Sequence, residues 1–133
     1  MNCLFWNTRG LESSSSKINS LVKQWRIHLL IIIEPMVDNI KIDMNKWHLG
    51  WEGALCSSVN KIWIFWDTAL LNISDILWHT QLVHFEVTGD IYKGWVTGVY
   101  GRHTHVVRKE LWENLCSFSN NMIEPWMVGV KVY

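Results

Sequence analysis

The sequence predicts an α/β (α+β) fold, and three patterns along the chain lead to that prediction. An apolar run in residues 1–10 is followed by a segment of helical period and by a second apolar run at Leu29–Ile33, which together indicate a β-α-β unit. Residues 62–66 and 82–87 then alternate with period two, as antiparallel strands do. A second helical segment, residues 107–118, precedes a last apolar run. We therefore expect a mixed sheet with two flanking helices.

Length and charge limit the classes of function. The 133 residues fit one domain, and we treat residues 1–133 as a single unit. The net charge is zero and the pI is near 7, which excludes a strongly basic polyanion binder, so any contact with nucleic acid must be local or carried by a metal. Charged residues make up 18% of the chain, against roughly 25% in ordinary domains. Either an apolar surface or a large core accounts for this composition.

Cysteine content and the length of the apolar runs bear on the compartment. Cys3, Cys56 and Cys116 are odd in number and form no C-x-x-C pair, which favours a reducing environment. The longest apolar run is far below the roughly 20 residues of a membrane span, and no secretory leader pattern is present. We expect an intracellular protein, cytoplasmic or nuclear, without membrane contact.

The β-α-β unit places two polar residues at one edge of the predicted sheet. The first strand ends in the polar cluster that starts with Asn7, and the crossover helix carries apolar residues at i, i+3, i+4 and i+7, with candidate caps in the serine run at residues 13–16. The second strand ends at Glu34, which we expect Pro35 to keep extended. Because the crossover makes the strands parallel, Asn7 and Glu34 should share the edge where open α/β sheets bind ligands.

The chemistry of these residues allows alternatives. A carboxylate at the exit of an apolar strand must be solvated, paired or bound to a cation, and Mg²⁺ suits such a place for Glu34. Asn7 could orient a phosphate or a water, although asparagine at a strand end is also a plain turn former. Arg102, Arg108 and Lys109 could meet a phosphate near the start of the second helix, but a solvated helix face explains them equally well.

Four stretches, in order, carry a resemblance to a known family. MNCLFWNTRGL, LLIIIEPMV, WVTGVYG followed by RKELWENL, and EPWMVG resemble the endonuclease/exonuclease/phosphatase family. More narrowly, they are similar to the endonuclease domain that begins plant non-LTR (LINE-type) retroelement polyproteins. The resemblance implies a four-layered α/β sandwich, with two mixed sheets packed face to face and helices outside. It also implies Mg²⁺-dependent cleavage of phosphodiester bonds, with DNA as substrate.

Site residues follow from this resemblance position by position. Asn7 matches the family's active-site asparagine after the first strand, and Glu34 matches its metal-binding glutamate. Tyr100 falls where the family has a tyrosine near the scissile phosphate. Arg102 is not matched to the family and remains the candidate phosphate contact on its charge and position alone. In the family mechanism the metal neutralises charge on the phosphate, while a histidine and aspartates activate the attacking water.

The chain departs from the family where a Gly-Asp-Phe-Asn motif should follow. After Gly129 it reads Val130, Lys131, Val132, Tyr133, and no Ser-Asp-His motif is present. Positioned acid–base groups contribute about 10² to 10⁴ in rate each, so the resemblance implies an inactive remnant in which Asn7 and Tyr100 are vestigial.

The resemblance also implies a truncated domain, the first half of the sandwich, with an apolar sheet face and a strand edge left exposed. Two alternatives remain at this point. One is a non-enzymatic module that binds a protein partner, or self-associates, through the exposed sheet face. The other is a nuclease completed by a separate second half.

Overall fold

The computed structural model describes residues 1–57, 59–102 and 104–131. In these ranges eight β-strands and three α-helices follow one another, with a short 3₁₀ helix at Asn39–Lys41 before α2. In chain order they are β1 Cys3–Asn7, α1 Leu11–Trp25, β2 Leu29–Ile33, α2 Ile42–Leu49, β3 Gly53–Cys56, β4 Ile62–Trp66, β5 Asn72–His79, β6 Leu82–Thr88, β7 Lys93–Tyr100, α3 His105–Asn121 and β8 Trp126–Lys131.

The strands form two four-stranded mixed sheets. The first sheet has the order β1-β2-β4-β3, and the second has the order β5-β6-β7-β8. One parallel pair lies at an edge of each sheet, β1 with β2 and β7 with β8, while the other neighbours are antiparallel. The predicted β-α-β unit is confirmed, since α1 connects the parallel strands β1 and β2.

The two sheets pack face to face and helices cover their outer faces. The inner core joins side chains of β2 and β4 to side chains of β6 and β7. On the outside of the first sheet, α1 contributes Leu11 and Ile18 and α2 contributes Leu49 to a second cluster. Leu111 of α3 packs on Leu82 and Val99 outside the second sheet. These four layers confirm the mixed α/β class and the sandwich that the resemblance implies.

The number of elements differs from the periodicity-based prediction of one sheet and two helices. Strand β5 gives no clean alternation, because its pairing with β6 shifts register between Ser74 and Leu77 and its residues are at most half-buried. The sequence pattern does not predict helix α2 either, because its exposed side carries large apolar residues that obscure the amphipathic pattern, among them Met44 and Trp47.

The expectation of an exposed apolar sheet face is wrong for the inner side of the first sheet. Ile31 and Ile64 on that side are fully buried against Val83 and Phe85, which the second sheet of the same chain supplies. This face is therefore not accessible to a protein partner or to a second copy of the chain. Open strand edges do remain in the described part of the chain, since β1 and β3 are the outermost strands of the first sheet and β5 and β8 are those of the second.

Helix α1 begins earlier than the serine run suggested. Leu11 is its first residue and Gly10, with φ 130°, is the N-cap, so the serines at 13–16 lie inside the helix and do not cap it. The start is held by backbone contacts to the segment after β2: Leu11 N donates to Pro35 O at 2.7 Å and Gly10 N donates to Glu34 O at 3.2 Å. In the described ranges no helix combines the length and apolar character needed to cross a membrane.

A buried histidine lies beneath α3 on the outer face of the second sheet. His84 stacks between Trp95 and Phe118, with ring centroids 4.9 and 4.0 Å away. Its Nδ1 is 2.7 Å from the Thr97 hydroxyl, which also accepts a hydrogen bond from Trp126 Nε1. Burial lowers the pKa of His84 below its ordinary value of 6.5. The ring is therefore a structural contact between β6, β7, β8 and α3, and its burial disfavours the charged form.

This burial makes stability depend on pH. A histidine in the unfolded chain titrates near pKa about 6.5, so below that pH the unfolded chain binds more protons than the folded one. We expect the free energy of unfolding to fall as the pH is lowered from about 6.5 toward the lower folded pKa of His84. Urea unfolding at a series of pH values measures this. His84→Phe should remove this part of the dependence and His48→Gln, at an exposed position, should keep it; identical profiles for wild type and His84→Phe would contradict the assignment.

Candidate active site

Glu34 follows β2 directly and adopts a strained backbone conformation. Its φ is 57°, in the left-handed region, so the expectation that Pro35 keeps it extended is wrong. Tertiary hydrogen bonds explain the difference: Glu34 N donates to Lys61 O at 2.9 Å, and Glu34 O accepts from the Thr8 hydroxyl at 2.6 Å. Such conformations cost about 1–3 kcal/mol and persist where surrounding contacts over-determine them, often at functional sites.

Thr8 is a positioning residue that neither periodicity nor the family resemblance identifies. It is buried, and its Oγ1 both donates to the carbonyl of Glu34 and accepts from Gly10 N at 3.1 Å. Its backbone N donates to Ile33 O at 3.1 Å and so continues the β1–β2 ladder. Its position in the polar cluster immediately after a strand could have indicated this role, because a hydroxyl group there can reach the end of the neighbouring strand.

Asn7 lies beside this turn. It is the last residue of β1, is exposed, and pairs in register with Ile33, the residue before Glu34. The predicted arrangement of Asn7 and Glu34 at the ends of adjacent parallel strands is confirmed by this pairing. The catalytic role of Asn7 stays a prediction.

The second sheet brings a tyrosine and a lysine to the same place. Tyr100 and Lys131 are opposite each other at the ends of the parallel strands β7 and β8. Lys131 Nζ lies 3.9 Å from Glu34 Oε2, and the Tyr100 hydroxyl is hydrogen-bonded to the Glu34 carboxylate. Burial raises the pKa of the Tyr100 phenol, the hydrogen bond and the charge of Glu34 raise it further, and Arg102 lowers it. Glu34, which follows a strand of the first sheet, thus interacts with two residues of the second sheet.

A groove with two cationic side chains adjoins Tyr100. Lys61 and Arg102 line it together with Val59, Thr80, Thr104 and Val107. Lys61 Nζ lies 5.5 Å from the centre of the Tyr100 ring, and Arg102 N is held by Gln81 Oε1 at 2.9 Å. The sequence-based prediction that Arg102 contacts phosphate therefore has a chemically suitable setting, and the contact itself stays a prediction.

The residues of this site do not fit the Mg²⁺ that the resemblance implies. Mg²⁺ in proteins is held by one or two carboxylates and keeps several waters. Here the Glu34 carboxylate already has a lysine ammonium beside it, and the described ranges contain no group of three or more His, Cys, Asp or Glu that could hold a metal. Val132 and Tyr133, which complete the stretch matched to Gly-Asp-Phe-Asn, lie outside the described residues.

Comparison with known proteins gives matches among solved structures. No protein-family model and no curated protein matches the chain. TDP2 of D. rerio, complexed with single-strand DNA product, superposes with a TM-score of 0.73 at 11% identity over 98% of this chain and 58% of TDP2. An endonuclease/exonuclease/phosphatase family protein from Bacteroides thetaiotaomicron gives 0.71 at 10% identity, over 96% of this chain and 61% of its own. The human Nocturnin catalytic domain, with bound sulfate, gives 0.59 at 10% identity, over 90% and 56%.

These likenesses show the fold. At such identities the chain and the solved structures share the endonuclease/exonuclease/phosphatase architecture, here over nearly the whole of this chain. The chain spans only about 60% of the length of the first of them, a humanized D. rerio TDP2. The fold expected from the four sequence stretches is confirmed by this comparison.

Proposed function

We propose that this chain is part of a phosphodiester-cleaving nuclease domain of retroelement origin, and that its site is catalytically silent in this polypeptide. One observation carries the proposal: the acid at the shared strand ends, Glu34, is engaged by the Lys131 ammonium and the Tyr100 hydroxyl. The fold supports the nuclease class, and the order of the four sequence stretches supports the retroelement origin.

DNA is the ligand class that this proposal assigns to the groove beside Tyr100. Lys61 and Arg102 provide two positive charges there, and groups of this kind contact phosphate oxygens in nucleic-acid interfaces. Asn7, exposed at the end of β1, is the amide that would orient a phosphate or a water. The D. rerio TDP2 structure contains a single-strand DNA product, which agrees with the substrate class.

The proposed lack of catalytic activity follows from the chemical groups that the residues of the site provide. Cleavage of a phosphodiester needs a positive charge that stabilises the developing oxyanion and a base that activates water. In the proposed site the carboxylate that would hold a metal is neutralised by Lys131. The 133 residues contain no Ser-Asp-His motif to supply a histidine, and His84 is buried beneath α3. Loss of a positioned base alone lowers rates by about 10²- to 10⁴-fold.

Nicking of supercoiled plasmid by the purified 133-residue protein tests the proposal. With Mg²⁺ or Mn²⁺ present we expect no more nicked product than in a buffer control, while an unrelated active nuclease converts the plasmid. Glu34→Gln, prepared in parallel, distinguishes activity of the site from a contaminant. Metal-dependent nicking by the wild type that disappears in Glu34→Gln would show that the site is active and would refute its proposed silence.

A further inference from the structure

We infer, taking the role of Glu34 from the proposed function, that Lys131 is a built-in counter-ion that replaces a divalent cation at this site and excludes it. Its ammonium nitrogen lies 3.9 Å from Glu34 Oε2, and the two side chains are only 13% and 11% exposed. A carboxylate buried to this extent requires a cationic or hydrogen-bonding partner, and the chain itself provides both through Lys131 and Tyr100. No dissolved cation is needed to neutralise Glu34.

The backbone holds Lys131 where its side chain can serve this purpose. Lys131 is in register with Tyr100, and its carbonyl accepts a hydrogen bond from Gly101 N at 2.7 Å. The parallel pairing of β7 and β8 therefore places the Lys131 ammonium at the same end of the sandwich as Glu34, which follows β2. Withdrawal of the lysine side chain would leave a largely buried carboxylate without its cation, which is unfavourable.

Charge repulsion explains why this arrangement excludes Mg²⁺ or Mn²⁺. A divalent ion on Glu34 would lie close to the Lys131 ammonium. Two unit charges about 4 Å apart, at an effective dielectric constant of about 20, repel strongly enough to change an equilibrium constant about a thousandfold. Exchange of the ammonium for a carboxylate reverses the sign of this interaction. Two facing carboxylates would then offer the oxygen ligands that such ions prefer.

Direct metal binding tests the inference without any assay of nuclease activity. The purified wild type, Lys131→Asp, and the double variant Glu34→Gln/Lys131→Asp are titrated with Mn²⁺ and followed by electron paramagnetic resonance of the free ion, with calorimetry for Mg²⁺. We expect no saturable site in the wild type. Lys131→Asp should bind one ion with an affinity at least about a hundredfold above any wild-type binding. The double variant keeps only the carboxylate introduced at position 131, because glutamine replaces Glu34, so it should lose this gain in affinity.

Two outcomes would overturn the inference directly, and a third applies if Lys131→Asp does not fold. One is saturable Mn²⁺ binding by the wild type that Glu34→Gln abolishes. The other is no gain in affinity in a folded Lys131→Asp protein, with folding checked by far-UV circular dichroism. If Lys131→Asp does not fold, Lys131→Gln removes the charge at similar length and should still raise the affinity by about tenfold or more; absence of that gain also overturns it. Plasmid nicking bears on the proposed function alone, so the two failures are distinguishable.

Discussion

Trp63→Ala should lower the free energy of unfolding by about 3–5 kcal/mol. The free energy of unfolding of a typical domain is only about 5–15 kcal/mol, so this loss is large. Trp63 is fully buried between the first sheet and its helices, and its ring meets Phe65 edge-to-face at 6.1 Å. The truncation removes the largest fully buried side chain of that cluster and leaves a cavity that the rigid sheet cannot close. Urea unfolding followed by far-UV circular dichroism measures the loss.

The same residue also fixes the segment that follows Glu34. Trp63 Nε1 donates to Asn60 Oδ1 at 2.6 Å, and Asn60 Nδ2 donates to Val37 O at 2.7 Å. Asn60 itself has a left-handed φ of 53°, a conformation that asparagine tolerates better than most residues. We therefore expect the loss of Trp63 to loosen the chain between Glu34 and Val37 as well as the core.

Two further variants separate packing from hydrogen bonding at this position. Trp63→Phe keeps much of the ring volume but removes the donor, so it should cost about 1–3 kcal/mol. Trp47→Ala is the matched control, because Trp47 is 82% exposed and its truncation should change stability by no more than about 0.5 kcal/mol. Equal losses in Trp63→Ala and Trp47→Ala would show that the assigned burial is wrong.

Gly129→Ala should lower the free energy of unfolding by about 1–3 kcal/mol, or more if the strands cannot shift. Gly129 is buried in the middle of β8, and a Cβ built on it overlaps the ring of Phe5 on β1. The glycine thus permits the close approach of the two edge strands from opposite sheets. The same urea unfolding experiment measures the effect.

A double-variant cycle identifies the cause of that loss. Phe5→Leu reduces the ring that the new methyl group meets, so Gly129→Ala should cost less in the Phe5→Leu background, with a coupling of about 0.5–3 kcal/mol. Val128→Ala, at a partly exposed neighbouring position of β8, controls for general weakening of the strand. Strictly additive effects of the two changes would refute the proposed contact between β1 and β8.

The consequences for the site depend on this contact between the sheets. Glu34 comes from the first sheet, whereas Tyr100 and Lys131 come from the second. Their distances therefore depend on how closely the two sheets approach each other, and the absence of a side chain at Gly129 allows β8 to lie close to Phe5 of β1. Variants at these two positions should change the Glu34–Lys131 pairing without altering either charged residue.

Much of the first sheet could be predicted because local rules determine it. The apolar run Leu29–Ile33 reads as a strand buried on both faces, and the crossover rule then makes β1 parallel to β2. The position of Asn7 and Glu34 at the same edge of the sheet can then be predicted without any knowledge of the rest of the fold. Strand β5 could not be predicted in this way, because its register shift after Ser74 interrupts the alternation on which the prediction depends.

By itself, the sequence determined the α/β class, the β-α-β unit and the placement of Asn7 and Glu34 at the ends of neighbouring strands, since each depends on periodicity and chain connectivity within a short segment. Only the tertiary structure decided that a second sheet covers the first and that Thr8 and Lys61 hold Glu34 in a left-handed conformation. It also decided that Lys131 pairs with Glu34. The physical reason is that these contacts join residues far apart in the chain, and their geometry arises from the packing of two sheets, which no local pattern encodes.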